Sequence, residues 1–131
     1  MNTLTLLFLT FTSQYHLPTG MLSALCYVES RHEVKAMRYD DGRDDSLGVC
    51  QVQPKTAAFL GFKGKRGDLM NPKFNVKYAA KYLDYQLKRY NGDVYKAILA
   101  YNAGSYKLNS KGTPVNALYA KKVLTAWSEG K

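Results

Sequence analysis

Of the 131 residues, 46% are hydrophobic, enough to fill one core in a chain too short for two, so a single domain over residues 1–131 is expected. The formal net charge of +9 points to a polyanionic partner: nucleic acid, an anionic membrane surface or an acidic cell-wall polymer. The Lys and Arg residues are scattered and form no nucleic-acid motif, so no nucleic acid is expected, and no apolar run reaches the length of a membrane span.

The first 30 residues contain no Lys or Arg, whereas a secretory signal begins with positive charge, so the apolar start is expected to be a retained helix. Leu4, Leu7, Phe8, Phe11 and Tyr15 fall at the spacing of one helical face. After LPTG, Met21 to Arg31 reads as a second helix with Leu22, Leu25 and Cys26 as its apolar residues. Glu29 lies seven residues after Leu22, between the directions of Leu25 and Cys26, while Ser23, Tyr27 and Ser30 fall on the other side. A carboxyl on the inward face is expected in a cleft or a buried place, where its pKa rises as a general acid requires. The plainer alternative is a solvated glutamate at the end of a helix.

The stretch RYDDGRDDSLG is polar and turn-rich, a loop or short hairpin, and GVCQV reads as a short strand or extended segment. PKTAAFL forms a short helix with Pro54 in its first turn and Gly61 as its stop, followed by a Lys/Gly loop, KGKRGD. Val76, Ala79, Ala80, Leu83, Leu87 and Tyr90 make the core stripe of a longer helix, ended by Asn-Gly. Asp93 is placed to cap VYKAILAYNA, with Gly104 as its stop. Thr113-Pro114 is expected to open a last helix with Val115, Leu118, Tyr119, Val123 and Trp127 inward. The class is therefore α+β and mostly α, with hairpin or irregular structure around residues 36–53.

Cys26 and Cys50 read as two buried reduced thiols, since free Cys behaves as a small hydrophobe, with a bridge between them as the alternative. They lack metal-ligand spacing, and His16 and His32 stand alone, so no metal or cofactor is expected.

Four pieces stand in order along the chain: CYVES, SLGVCQVQP, AYNAG and LYAKKVL. Together they resemble the soluble lytic transglycosylase-like, goose-type-lysozyme-related family. That family's pattern is a helix ending Glu-Ser, a Gly-Leu-Met-Gln segment, Ala-Tyr-Asn-Ala-Gly, and a late helix containing Tyr-Val. The resemblance covers roughly residues 4–127 and implies a lysozyme-like fold. Position by position, it implies that Glu29 is the catalytic acid and base. It makes Gln51 line the sugar site, Tyr101 support the carboxyl and the transition state, and Tyr119 match the Tyr of the last helix. Asn102 belongs to the Tyr-Asn-Ala-Gly motif, and Ser46 stands where a family serine bonds near the acid. Two departures stand out. The chain has Gly48-Val49-Cys50-Gln51 in place of Gly-Leu-Met-Gln, and Val115 and Asn116 in place of a Glu-Thr pair.

The activity implied is cleavage of the β-1,4 bond between N-acetylmuramic acid and N-acetylglucosamine in peptidoglycan glycan strands. The family forms 1,6-anhydromuramoyl ends and needs no cofactor. A rival reading is a hydrolytic lysozyme using an acid of the cluster Asp40, Asp41, Asp44 and Asp45, which otherwise reads as a solvated turn. A third is a non-catalytic glycan-binding or structural module, as at a phage tail tip. The expected site of action is the cell wall or periplasm, reached by lysis, in a virion or by a specialised export route, and the expected state is a monomer.

Overall fold

The computed structural model describes residues 1–39 and 44–131. Among them are six α-helices: α1 (Thr3–Gln14), α2 (Met21–Ser30), α3 (Pro54–Phe59), α4 (Pro72–Arg89), α5 (Val94–Ala103) and α6 (Ala117–Ser128). One 3-10 helix covers Arg66–Met70. Two short strands, β1 (Met37–Arg38) and β2 (Ser46–Leu47), pair antiparallel with Met37 opposite Leu47 and Arg38 opposite Ser46.

Local chemistry sets the helix ends. Asn2 and Asp93 accept from Thr5 N–H and Lys96 N–H at 2.8 and 3.0 Å, each relieving an orphan donor in a first turn. Gly104 at φ +86 stops α5, and Pro72 opens α4 four residues earlier than the apolar stripe predicted. The helices then bury their stripes on one another: α2 packs on α6, and α4 on α1 and α5. Phe8 and Phe11 of α1, Leu22 and Leu25 of α2, Val76 and Leu83 of α4, Ile98 of α5 and Val123 of α6 meet in one apolar cluster. Met21, Leu22, Leu25, Leu83, Ile98 and Val123 are fully enclosed there.

Four expectations are corrected. Cys26 and Cys50 are not reduced thiols but a disulfide. Sequence spacing is silent on Cα separation; docking of the turn after β2 onto α2 brings the two Cα atoms to 4.3 Å. The last helix starts at Ala117 rather than at Pro114, and Val115 and Leu118 are exposed. Its buried face is Ala120, Val123 and Ala126, because close approach to α2 and α5 selects small residues. KGKRGD is not all loop: the 3-10 helix begins within it, anchored by Asp68 Oδ2 accepting from Lys65 N–H. GVCQV forms a tight turn whose flanks, Leu47 and Val52, exchange both backbone hydrogen bonds at 3.0 and 2.9 Å.

Candidate active site

Glu29 sits at the penultimate position of α2, half-buried, with its carboxyl at the wall of a cleft of about 820 Å³. The helix end brings it there by phase alone: one turn earlier, Leu25 and Cys26 are already in the core. Loss of water around the carboxyl pushes its pKa from the usual carboxylate range up to about 7. Two influences act against that rise. The Tyr119 hydroxyl donates to Glu29 Oε2 at 2.6 Å, and the Arg38 guanidinium favours the charged form. Burial wins, so near neutral pH the group exchanges its proton readily, the condition for serving first as acid and then as base. Burial and the neighbouring carboxyl push the Tyr119 and Tyr101 phenols well above their ordinary value, and both stay protonated donors.

The turn Gly48–Val52 adds a further stretch of wall, where Gln51 and Val52 line the cleft. Gly48 has φ +76, and a Cβ there would collide with the Asn75 side-chain amide, so both backbone and space require glycine. Asn75 is fully buried within α4 and ties three segments together. Its Oδ1 accepts from Cys50 N–H at 2.8 Å, and its Nδ2 donates to the carbonyls of Leu47 and Leu69 at 2.7 Å each. Ser30, beside Glu29, donates from Oγ to the Val49 carbonyl at 2.6 Å. Tyr101, almost fully buried, donates to the Cys50 carbonyl at 3.0 Å. The disulfide adds a covalent tie between the same turn and α2. So constrained, Gln51 adopts φ +54, a left-handed conformation uncommon for a residue with a side chain. Its Nε2 donates to the Gly48 carbonyl at 3.0 Å.

Glu29, Ser46, Gln51, Tyr101 and Asn102 thus line one cleft, and Tyr119 stands behind the carboxyl. The hydroxyl that touches the acid is Tyr119's, while Tyr101 secures the turn. Asn102 Oδ1 accepts from Asn116 Nδ2 at 2.8 Å, and the same Asn116 amide holds the Leu99 carbonyl at 3.0 Å. Asn116 therefore joins the ends of α5 and α6 at the cleft's rim. Of the acidic cluster, Asp44 lines the cleft but its Oδ2 accepts from Lys55 N–H at the start of α3, and Asp45 pairs with Arg66. Asp40 and Asp41 lie outside the described residues.

Residues 7–123 match the family described as the Transglycosylase SLT domain. The chain belongs to that family. The peptidoglycan transglycosylase gp16 of Escherichia phage T7 is 32% identical over 83% of this SLT domain's chain, which spans only 8% of the phage protein. Among solved structures, an inactive mutant of the lytic transglycosylase Slt from Pseudomonas aeruginosa superposes with a TM-score of 0.80 at 21% identity, covering 94% of this chain and 23% of that one. The 70 kDa soluble lytic transglycosylase of Escherichia coli follows with a TM-score of 0.66 at 21% identity, covering 95% and 20%. These likenesses carry the lysozyme-like fold expected from the motifs.

Within this SLT domain, sequence reasoning missed Arg38, Ser30, Asn75 and Asn116. Ser30 carried a signal, as the second residue of the Glu-Ser motif, and Asn116 stood at a noted departure from the family pattern. Arg38 and Asn75 carried none, because one is a cation in a polar loop and the other a polar residue beside an apolar stripe.

Proposed function

We propose that this SLT domain is a peptidoglycan lytic transglycosylase in which Glu29 acts first as acid and then as base. One observation carries the reading: the Glu29 carboxyl, enclosed at the wall of a large polar cleft, has its pKa raised to about 7 and a phenol bonded to it. Protonated Glu29 donates to the glycosidic oxygen as the bond to the muramoyl C1 breaks and oxocarbenium character develops. The carboxylate left behind is stabilised by the Tyr119 hydrogen bond and by Arg38. It then accepts the proton of the muramoyl C6 hydroxyl as that oxygen attacks C1. The attack is intramolecular, so effective molarity replaces a second carboxylate that would hold a water. Gln51, Ser46 and Asn102 stand where they can bond sugar hydroxyls and N-acetyl groups, and Tyr101 holds the turn that presents Gln51.

The names of the relatives support this reading. The T7 protein is called a peptidoglycan transglycosylase, and the Pseudomonas enzyme was solved as an inactive mutant in which glutamine replaces a glutamate. The hydrolytic reading draws on Asp44, which lines the same cleft, yet that carboxylate is engaged with a backbone N–H. A non-catalytic module has no need of an enclosed carboxyl. We further propose that residues 1–131 act as one domain and a monomer on the cell wall, reached by lysis, virion delivery or a specialised export route. Among the described residues, no helix is long and apolar enough to cross a membrane.

Digestion of purified peptidoglycan followed by mass spectrometry separates the two reactions. Transglycosylation leaves non-reducible anhydromuramoyl ends lighter by one water, which is the expected product. Predominantly reducible ends would make the enzyme a hydrolase and would turn attention to the acidic cluster.

A further inference from the structure

A second cavity, of about 280 Å³, opens beside the catalytic cleft and shares four of its wall residues: Lys55, Thr56, Tyr82 and Gly104. The two are therefore successive parts of one groove. What distinguishes the outer part is a chain of aromatic rings leading outwards from the catalytic wall. Tyr101 meets Tyr82 at a ring-centroid distance of 5.2 Å. Tyr82 lies parallel to Tyr85, 6.2 Å apart with 8° between the planes. Phe59 then stands edge-on to Tyr85 at 5.3 Å, with 66% of its surface exposed.

The parts of this platform come from two helices that pack directly. Phe59 is the last residue of α3, and Tyr82 and Tyr85 lie three apart on one face of α4. Its far wall is held by Arg89, which donates to the Gly104 carbonyl at 2.9 Å and to Ser105 Oγ at 2.8 Å. That guanidinium fastens the end of α5 against α4, so the groove is preformed. An exposed phenylalanine alone is unremarkable. A parallel ring pair and an exposed edge-on ring, continuous with a polar cleft, form a surface of defined chemistry. Its flat apolar faces suit the flat apolar face of a pyranose ring, with Lys55 and Thr56 at its margin for hydroxyl and acetamido oxygens.

We infer that Phe59 and Tyr85 form a distal saccharide subsite that takes an N-acetylated hexosamine of the strand several units from the bond being cut. The inference rests on the transglycosylase reading for the strand that occupies the cleft. Its role is to lengthen the grip on polymer, so it raises affinity for long glycans and leaves short ones unaffected.

The test is calorimetric titration of the Glu29→Gln protein with β-1,4-linked N-acetylglucosamine oligomers of three and six units. The six-unit oligomer is expected to bind more tightly than the three-unit one. Phe59→Ala and Tyr85→Ala are each expected to weaken six-unit binding by about threefold to tenfold, the scale of one aromatic contact, with three-unit binding unmoved. Phe59→Trp, which keeps a flat face, is expected to retain the length preference, and thermal melting of each variant reports folding. Equal affinity for both lengths in the Glu29→Gln protein overturns the subsite, as does equal weakening of both lengths in the Ala variants. Wall clearing is a separate readout: if Glu29→Gln clears walls at the parent rate, the catalytic reading falls, while a length preference lost in Phe59→Ala still stands as glycan binding.

Discussion

Glu29 and Tyr119 are ninety residues apart and form a 2.6 Å hydrogen bond whose two partners depend on each other for different reasons. Burial raises the carboxyl's pKa, and the phenol, by stabilising the anion, acts against that rise, the net value being about 7. Glu29→Gln keeps the size and an acceptor oxygen, so the fold should persist while wall clearing falls by at least about a hundredfold, the lower end of what a general acid contributes. The same substitution has a stability consequence. Because the folded-state pKa lies above the unfolded value, the folded chain binds more protons in between, and stability falls as pH rises from about 4.5 to about 7. Glu29→Gln removes that loss, so its melting temperature should match the parent's near pH 4 and exceed it near pH 8. Identical melting curves across that range would show that the carboxyl is not enclosed. Tyr119→Phe deletes the bond to the anion and raises the Glu29 pKa further. In the proposed mechanism Glu29 acts first in its protonated form, so the alkaline limb of the kcat/KM profile should move to higher pH while the maximum rate falls, because the anion formed in that step loses its donor.

The element that sets Gln51 beside Glu29 in the cleft is the turn between Leu47 and Val52. Beyond the Leu47–Val52 backbone pair that closes it, the turn is held from outside: by Asn75 from α4, Ser30 and Cys26 from α2, and Tyr101 from α5. The disulfide closes a loop of 24 residues, and loops of that size are worth roughly 2–4 kcal/mol when cross-linked. Reduction under mild denaturing conditions, or Cys26→Ser with Cys50→Ser, should therefore lower the melting temperature by several degrees. It should also weaken activity more than a remote change of equal stability cost, because the slackened turn presents Gln51. A double variant that clears walls at the parent rate at 20 °C would show that the noncovalent ties suffice. The last helix shows a further effect at this scale: Ala120 and Ala126 face inward, so α6 approaches α2 closely and carries Tyr119 to the acid.

At the scale of the whole molecule the net charge is +9, and several cations, Arg38, Lys55 and Lys107, border the cleft. Around an anionic wall polymer such a surface raises local concentration and speeds encounter, with a reach set by ionic strength. Pull-down of the Glu29→Gln protein with purified walls should therefore weaken markedly between low salt and about 0.3 M salt, where the Debye length falls below about 6 Å. Retention that ignores salt would assign binding to saccharide contacts alone. The chain spans a small fraction of the length of these relatives.

Properties set by neighbours along the chain were legible in the sequence. Apolar residues at helical spacing announced α1, α2 and α4, Asp93 and Gly104 marked the ends of α5, and the phase of α2 alone turned Glu29 inward. The ordered motifs supplied the family and, with it, the lysozyme-like fold. What depends on distances between segments was not legible. The Cys26–Cys50 bridge, the choice of Tyr119 over Tyr101 as the donor to the acid, and the exposure of Val115 and Leu118 all follow from how helices dock. Asn75 is the clearest case: as a letter it is a polar residue beside an apolar stripe, and only when α4 packs under the turn do its three hydrogen bonds replace the water it gave up. Periodicity is a property of the chain and survives without a partner surface, whereas register between segments exists only once the core has closed.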